Sequence, residues 1–222
     1  FGKPGKILFF KNHLNNLIKS LEVYKITKKS LRADILSIIN KNLSKKKRYN
    51  HLIRIALNKK IISISLRKRI KPKLNFNLKL VKLKREKPEY KNLKYKKILS
   101  YLSKIDNSQS DIGLVFNKRL LETGTSNLLF VKDQKFFTPK RGYYVGNTYK
   151  FFKTKIKKII KKDILLKEIQ KYDEILLLGS GKGVASVRTI NEIKWRRKNL
   201  EKFRLLSKHY NTVINKCNSY KF

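Results

Sequence analysis

Leu121-Glu122-Thr123-Gly124-Thr125-Ser126-Asn127-Leu128 is the stretch on which the reading of this chain turns. It sets one acid in a run of small hydroxyl and glycine residues between two apolar segments. Residues 112–116 before it and 128–131 after it are rich in aliphatic side chains, so both are expected to be buried strands. Glycine serves where the backbone turns sharply or comes close to a ligand, and Ser, Thr and Asn hydrogen-bond their own turn. A lone carboxylate at such a turn, with strands on either side, is a candidate functional group.

Further landmarks follow in order. Thr138-Pro139 closes the next hairpin, and Gly146-Asn147-Thr148 opens a helix. Asp173-Glu174-Ile175-Leu176-Leu177-Leu178-Gly179-Ser180 is a strand that ends in a Gly/Ser turn. Each alone has an ordinary explanation, as an N-cap or a turn. Gly113, Gly124, Gly142, Gly146, Gly179, Gly181 and Gly183 all lie in the second half of the chain, which therefore carries the expected walls of a site. Gly179-Ser180-Gly181-Lys182-Gly183 hints at a P-loop. The match fails because Gly183 stands where a Ser or Thr would hold the metal.

Earlier in the chain, Phe10, Leu14, Leu17, Ile18 and Leu21 share one helical face over 9–21. A second helix is expected over 31–43, with Leu31, Ile35, Ile38 and Ile39 inward. The period then changes to two. Residues 52–57 and 61–66 read as a hairpin around Asn58-Lys59-Lys60, followed by a third strand over 74–80. The charged, aperiodic stretch 85–93 contains Pro88 and reads as a linker. It divides a small α+β domain, 1–84, from a larger one, 94–222. In the larger part the patterns predict a short helix around Ile98 and Leu102, and a strand around Phe136-Phe137. A helix is expected from Gly146 through Ile156 to Ile159, and a short one over 164–169. Strands are expected over 175–178 and 184–187, and a last helix over 194–208 that starts with a buried Trp195.

Composition sets outer bounds. Over 222 residues, 41% are hydrophobic and 11% aromatic, enough for a real core, so global disorder is excluded. No apolar run approaches the roughly 18 residues that span a bilayer. One cysteine and three scattered histidines offer no metal-ligand cluster, and the single cysteine fits a cytoplasmic setting. Lys and Arg number 57 against 14 Asp and Glu, a formal charge of +43. Such a field can bind nucleic acid by counterion release, which makes a basic RNA- or ribosome-binding protein the rival class. A bias toward A/T-rich codons loads solvated faces with Lys, Asn and Ile for no functional reason. The charge is therefore the weaker clue. The chain begins at Phe1 and contains no Met, and is read as an N-terminally incomplete sequence.

Taken in order, the landmarks resemble the fold type IV pyridoxal-phosphate enzymes. That class IV aminotransferase family includes branched-chain and D-amino-acid aminotransferases and aminodeoxychorismate lyase. The turn at 122–127, Thr138-Pro139, the helix start at 146–148 and the strand ending at Gly179-Ser180 all match its pattern. His13-Leu14-Asn15-Asn16-Leu17 resembles its His-Leu-x-Arg-Leu helix, with Asn16 where the family has a phosphate-gripping arginine. The resemblance implies an α+β, two-domain fold with the cofactor cleft between the domains, pyridoxal 5'-phosphate as cofactor, and a homodimer. It also implies amino-acid and 2-oxo-acid substrates, with a branched-chain-type transaminase favoured over an aminodeoxychorismate lyase. Glu122 would face the ring nitrogen. Gly146, Asn147, Thr148, Gly179 and Ser180 would bind the phosphate, where a helix start favours an anion. Lys94, in Asn92-Leu93-Lys94, would be the Schiff-base lysine, with Lys91, Lys96 and Lys97 as alternatives.

Overall fold

The computed structural model describes residues 1–217 apart from Pro4 and Lys45. The chain forms two compact units. One comprises the described residues of 1–69, 90–93 and 211–217; the other comprises 70–89 and 94–210.

In the first unit, α1 (Phe10–Val23) and α2 (Leu31–Asn42) form where apolar residues recur at helical spacing. Their shared face buries Phe10, Leu14, Leu21, Leu31, Ile35 and Ile39. Ile35 and Ile39 are almost wholly buried, and each such side chain contributes about 1.5–3 kcal/mol. β1 (His51–Leu57) and β2 (Ile62–Lys68) form the expected hairpin, with Leu57 opposite Ile62. The alternation decides which face is dry. Ile53, Ile55, Ile62 and Ile64 pack on the helical cluster, while Arg54, Ser63 and Ser65 face outward.

The second unit is built on one large sheet of β3 (Phe76–Lys82), β4 (Ser110–Phe116), β5 (Arg119–Thr123), β6 (Asn127–Lys132), β7 (Lys135–Pro139), β8 (Ile159–Lys162), β9 (Glu174–Gly179), β10 (Gly183–Ile190) and β11 (Trp195–Arg196). The spatial order is β5-β4-β3-β10-β9-β6-β7-β8, with β11 on β10. β3 lies parallel to both β4 and β10, and β7 parallel to β8; the other pairs are antiparallel. Beyond β8, the amides of Leu120 and Leu166 bond the carbonyls of Ile164 and Lys118, so the two ends of the sheet meet and it curls. Its core holds Phe76, Leu120, Leu128, Phe130, Ile175, Leu177, Val187 and Trp195. α3 (Lys96–Leu102) covers Ile112 and Leu114 through Ile98 and Leu102. α4 (Asn147–Lys155) and α5 (Glu201–Asn215) are the remaining α-helices among the described residues.

Three local expectations give way to tertiary pairing. The helix that starts at 147 stops at Lys155, and Ile159–Lys162 pairs with β7 as a strand, because β-branched Ile159 and Ile160 fit a pleated edge. Trp195 does not open a helix. It sits in β11 opposite Ile190 with its indole N–H on the Tyr172 carbonyl, and the helix begins only at Glu201. The third strand, grouped on sequence with the hairpin before it, lies inside the large sheet.

Candidate active site

Glu122 is the penultimate residue of β5, with its side chain almost fully buried. Its Oε1 lies 3.0 Å from Nε of Arg85, itself only 11% exposed, and its Oε2 accepts the Tyr144 amide at 3.3 Å. The carboxylate is thus held from two sides. Arg85 lies in the charged stretch read as a linker, where nothing in the sequence distinguished it from its neighbours.

The turn that follows organises the rest. Asn127, at the start of β6, donates to the Tyr144 carbonyl at 2.5 Å and accepts the Gly146 amide at 3.0 Å. One amide side chain thereby fixes the loop that leads into α4. A Cβ on Gly146 would stand 2.9 Å from Asn127 Oδ1, and one on Gly179 would stand 2.6 Å from Ser126 Oγ. Only glycine permits these two approaches, which bring the start of α4 and the end of β9 against the 123–127 turn. Gly146 caps α4 without a side chain of its own. The first amides of that helix have no intrahelical acceptor.

Within this cup Asn147 and Thr148 are buried. Thr148 Oγ1 is sealed from solvent with no hydrogen-bond partner among the described residues. A buried hydroxyl without a partner costs about 1–3 kcal/mol, so such an atom at a helix start has the chemistry of an anion ligand awaiting its acceptor. Ser180 is exposed at the tip of the turn between β9 and β10. Gly146, Asn147, Thr148, Gly179 and Glu122 are therefore gathered around one turn, with Ser180 on the loop that follows Gly179.

The Amino-transferase class IV family model matches residues 2–190. The chain belongs to that family. Its members use pyridoxal 5'-phosphate, and the α+β fold with its curled sheet is that of class IV aminotransferases. The chain is similar in fold to a Thermotoga maritima protein provisionally described as a branched-chain amino acid aminotransferase, at 18% identity and a TM-score of 0.77, over 95% of this chain and 82% of that one. A Thermobaculum terrenum branched-chain amino acid aminotransferase in its PLP form gives 14% and 0.74, over 95% and 80%. The 4-amino-4-deoxychorismate lyase of Pseudomonas aeruginosa gives 16% and 0.71, over 96% and 87%. No curated protein matches the sequence.

As a class IV aminotransferase-family chain, this one offers three features suited to its family's cofactor: a partnerless buried hydroxyl, a helix start without a side-chain cap and a fixed carboxylate. Lys94 is exposed, with Nζ 2.6 Å from Glu86 Oε1 and both side chains more than half in solvent. Lys91, Lys96 and Lys97 are also exposed. The Lys91 amide donates to the buried Ser20 hydroxyl, which in turn bonds the Asn16 carbonyl, and Asn92 donates to the Tyr24 hydroxyl. Asn16 itself is half-buried on α1. Besides Arg85, the sequence reading gave no role to Asp111 and named Lys182 only in the failed P-loop match; the two join beside the turn. Asp111 could have been noticed as the one charge inside an otherwise apolar strand, Ser110–Phe116.

Proposed function

We propose that the chain acts as a pyridoxal-phosphate transaminase, moving an amino group between a branched-chain-type amino acid and a 2-oxo acid. The observation that carries this reading is the buried, partnerless Thr148 hydroxyl at the start of α4, in a cup whose other wall carries the clamped Glu122. When bound, the cofactor supplies an electron sink for carbanionic chemistry. The chain supplies the rest. Thr148, Asn147 and Ser180 would hold the phosphate, and Gly146 and Gly179 would let the backbone close on it. Glu122 would set a carboxylate against the ring nitrogen, with its direction held by Arg85. One lysine of Lys91, Lys94, Lys96 and Lys97, with Lys94 the first candidate, would hold the cofactor and would carry the substrate's α-proton.

The test is cofactor uptake followed by borohydride reduction and peptide mapping. The expected result is a yellow protein that bleaches with one label on a lysine among 91–97. A protein that takes up no added pyridoxal phosphate would overturn the reading. A second reading, an aminodeoxychorismate lyase, draws support from fold neighbours of that activity at comparable similarity. Pyruvate release from aminodeoxychorismate, without 2-oxo-acid-dependent turnover of branched-chain amino acids, would favour it.

A further inference from the structure

Behind the 123–126 turn lies a buried ion pair that cofactor binding does not itself require. Asp111, on β4, is wholly buried, and the Lys182 side chain is 9% exposed with Nζ 3.2 Å from Asp111 Oδ2. The same Oδ2 accepts the hydroxyls of Thr123 at 2.8 Å and Thr125 at 2.6 Å, while Oδ1 accepts the Ile112 amide at 2.8 Å. Thr123 Oγ1 then accepts the amides of Ser126 and Thr125, so the carboxylate reaches the turn's backbone through one intermediate atom. On the other side, Lys182 Nζ donates to Thr125 Oγ1 at 2.8 Å and lies 5.6 Å above the Phe76 ring.

Lys182 belongs to the loop between β9 and β10, which follows Gly179 and carries Ser180. Asp111 belongs to neither loop. One carboxylate from a third strand therefore ties together the turn that follows Glu122 and the turn that presents Ser180. A buried ion pair is weak evidence for stability, because desolvation offsets most of the attraction. Its best-attested use is to fix one arrangement among several. Here the arrangement fixed is the spacing of two loops on the candidate phosphate cup.

We propose that Asp111 and Lys182 are positioning residues: a clasp that holds the 123–126 and 180–182 turns in register, so that the cup grips a phosphate monoester. This rests on the cofactor reading above for the identity of the phosphate, but not for the existence of the clasp. The experiment compares the full chain with Asp111→Asn, Lys182→Met and the double variant. One measurement is amide hydrogen exchange of the two turns without cofactor. The other is affinity for pyridoxal phosphate against pyridoxal, which lacks the phosphate.

The expected result is faster exchange in both turns in each variant, with β6 unchanged. Pyridoxal phosphate should bind about tenfold or more weakly, while pyridoxal changes little. The double variant removes both charges, so it should regain stability without regaining phosphate discrimination. Faster exchange in 123–126 alone, or equal losses for both ligands, would overturn the clasp. So would recovery of discrimination in the double variant. If the parent chain binds no pyridoxal phosphate, the functional reading falls, and the exchange measurement still decides the clasp.

Discussion

Arg85 and Glu122 show what a single ion pair does when both partners leave water. With 11% and 4% of their side chains exposed, neither charge is solvated enough to stand alone. Arg85→Met is expected to destabilise the chain by about 3–5 kcal/mol, because it strands a buried carboxylate. Urea unfolding measures this. Glu122→Gln should lower the turnover of the reconstituted enzyme by about 10²–10³-fold, the scale of one charge-stabilising group in a water-excluded site, with the cofactor still bound. Tyr172 makes a different case. Burial first, and the Glu168 carboxylate second, push its phenol up to about 12. A phenol raised in the folded state stabilises fully below the unfolded value near 10, and that contribution is lost as pH rises toward 12. Stability should therefore fall across that window, and Tyr172→Phe should flatten the fall in a pH series of unfolding midpoints.

Among the elements, the glycine at the end of β9 carries the sharpest constraint. A methyl group at Gly179 would meet Ser126 Oγ at 2.6 Å and the Thr125 carbonyl at 3.1 Å. Gly179→Ala is expected to cost about 1–3 kcal/mol by overpacking and to weaken cofactor binding. Ser126→Ala in the same chain should recover part of the loss, because it removes the nearer atom. Thermal unfolding of the single and double variants checks both. α5 is placed by a comparable reach across elements. Both Glu174 carboxylate oxygens, from β9, accept the amides of Lys202 and Phe203 at the helix start. No local sequence pattern links residues so far apart.

At the scale of the whole molecule, the charge of +43 has a structural counterpart in how the few acids are used. Asp111, Glu122, Asp163, Glu168 and Asp173 all pair with cations, while Glu174 and Glu192 accept backbone amides. Between Asp34 and Glu86 the chain has no acid at all. Those seven of the fourteen acids sit where the fold uses a carboxylate, while Glu22, Glu89 and Asp133 are exposed and most cations spread over the surface. Such a surface repels itself, and salt screens it. The unfolding temperature should rise by about 5 °C or more between about 20 mM and about 500 mM sodium chloride. A temperature that fell with salt would contradict the repulsion.

The sequence by itself determined the elements whose burial follows their own period: α1 and α2, the β1–β2 hairpin, and the strands on either side of Glu122. It also placed the turn at 122–127 and the glycines at 146 and 179, since a close backbone approach leaves few alternatives to glycine. The tertiary structure alone decided what those residues meet. Ile159 and Ile160 became a strand because β7 offered an edge, against a helical period that ran on from 147. Arg85 found Glu122, and Lys182 found Asp111, across separations that no local pattern records. In a chain with 57 basic residues the sequence cannot say which cation is buried, because the cost of desolvating a charge is set by neighbours that only the fold brings together.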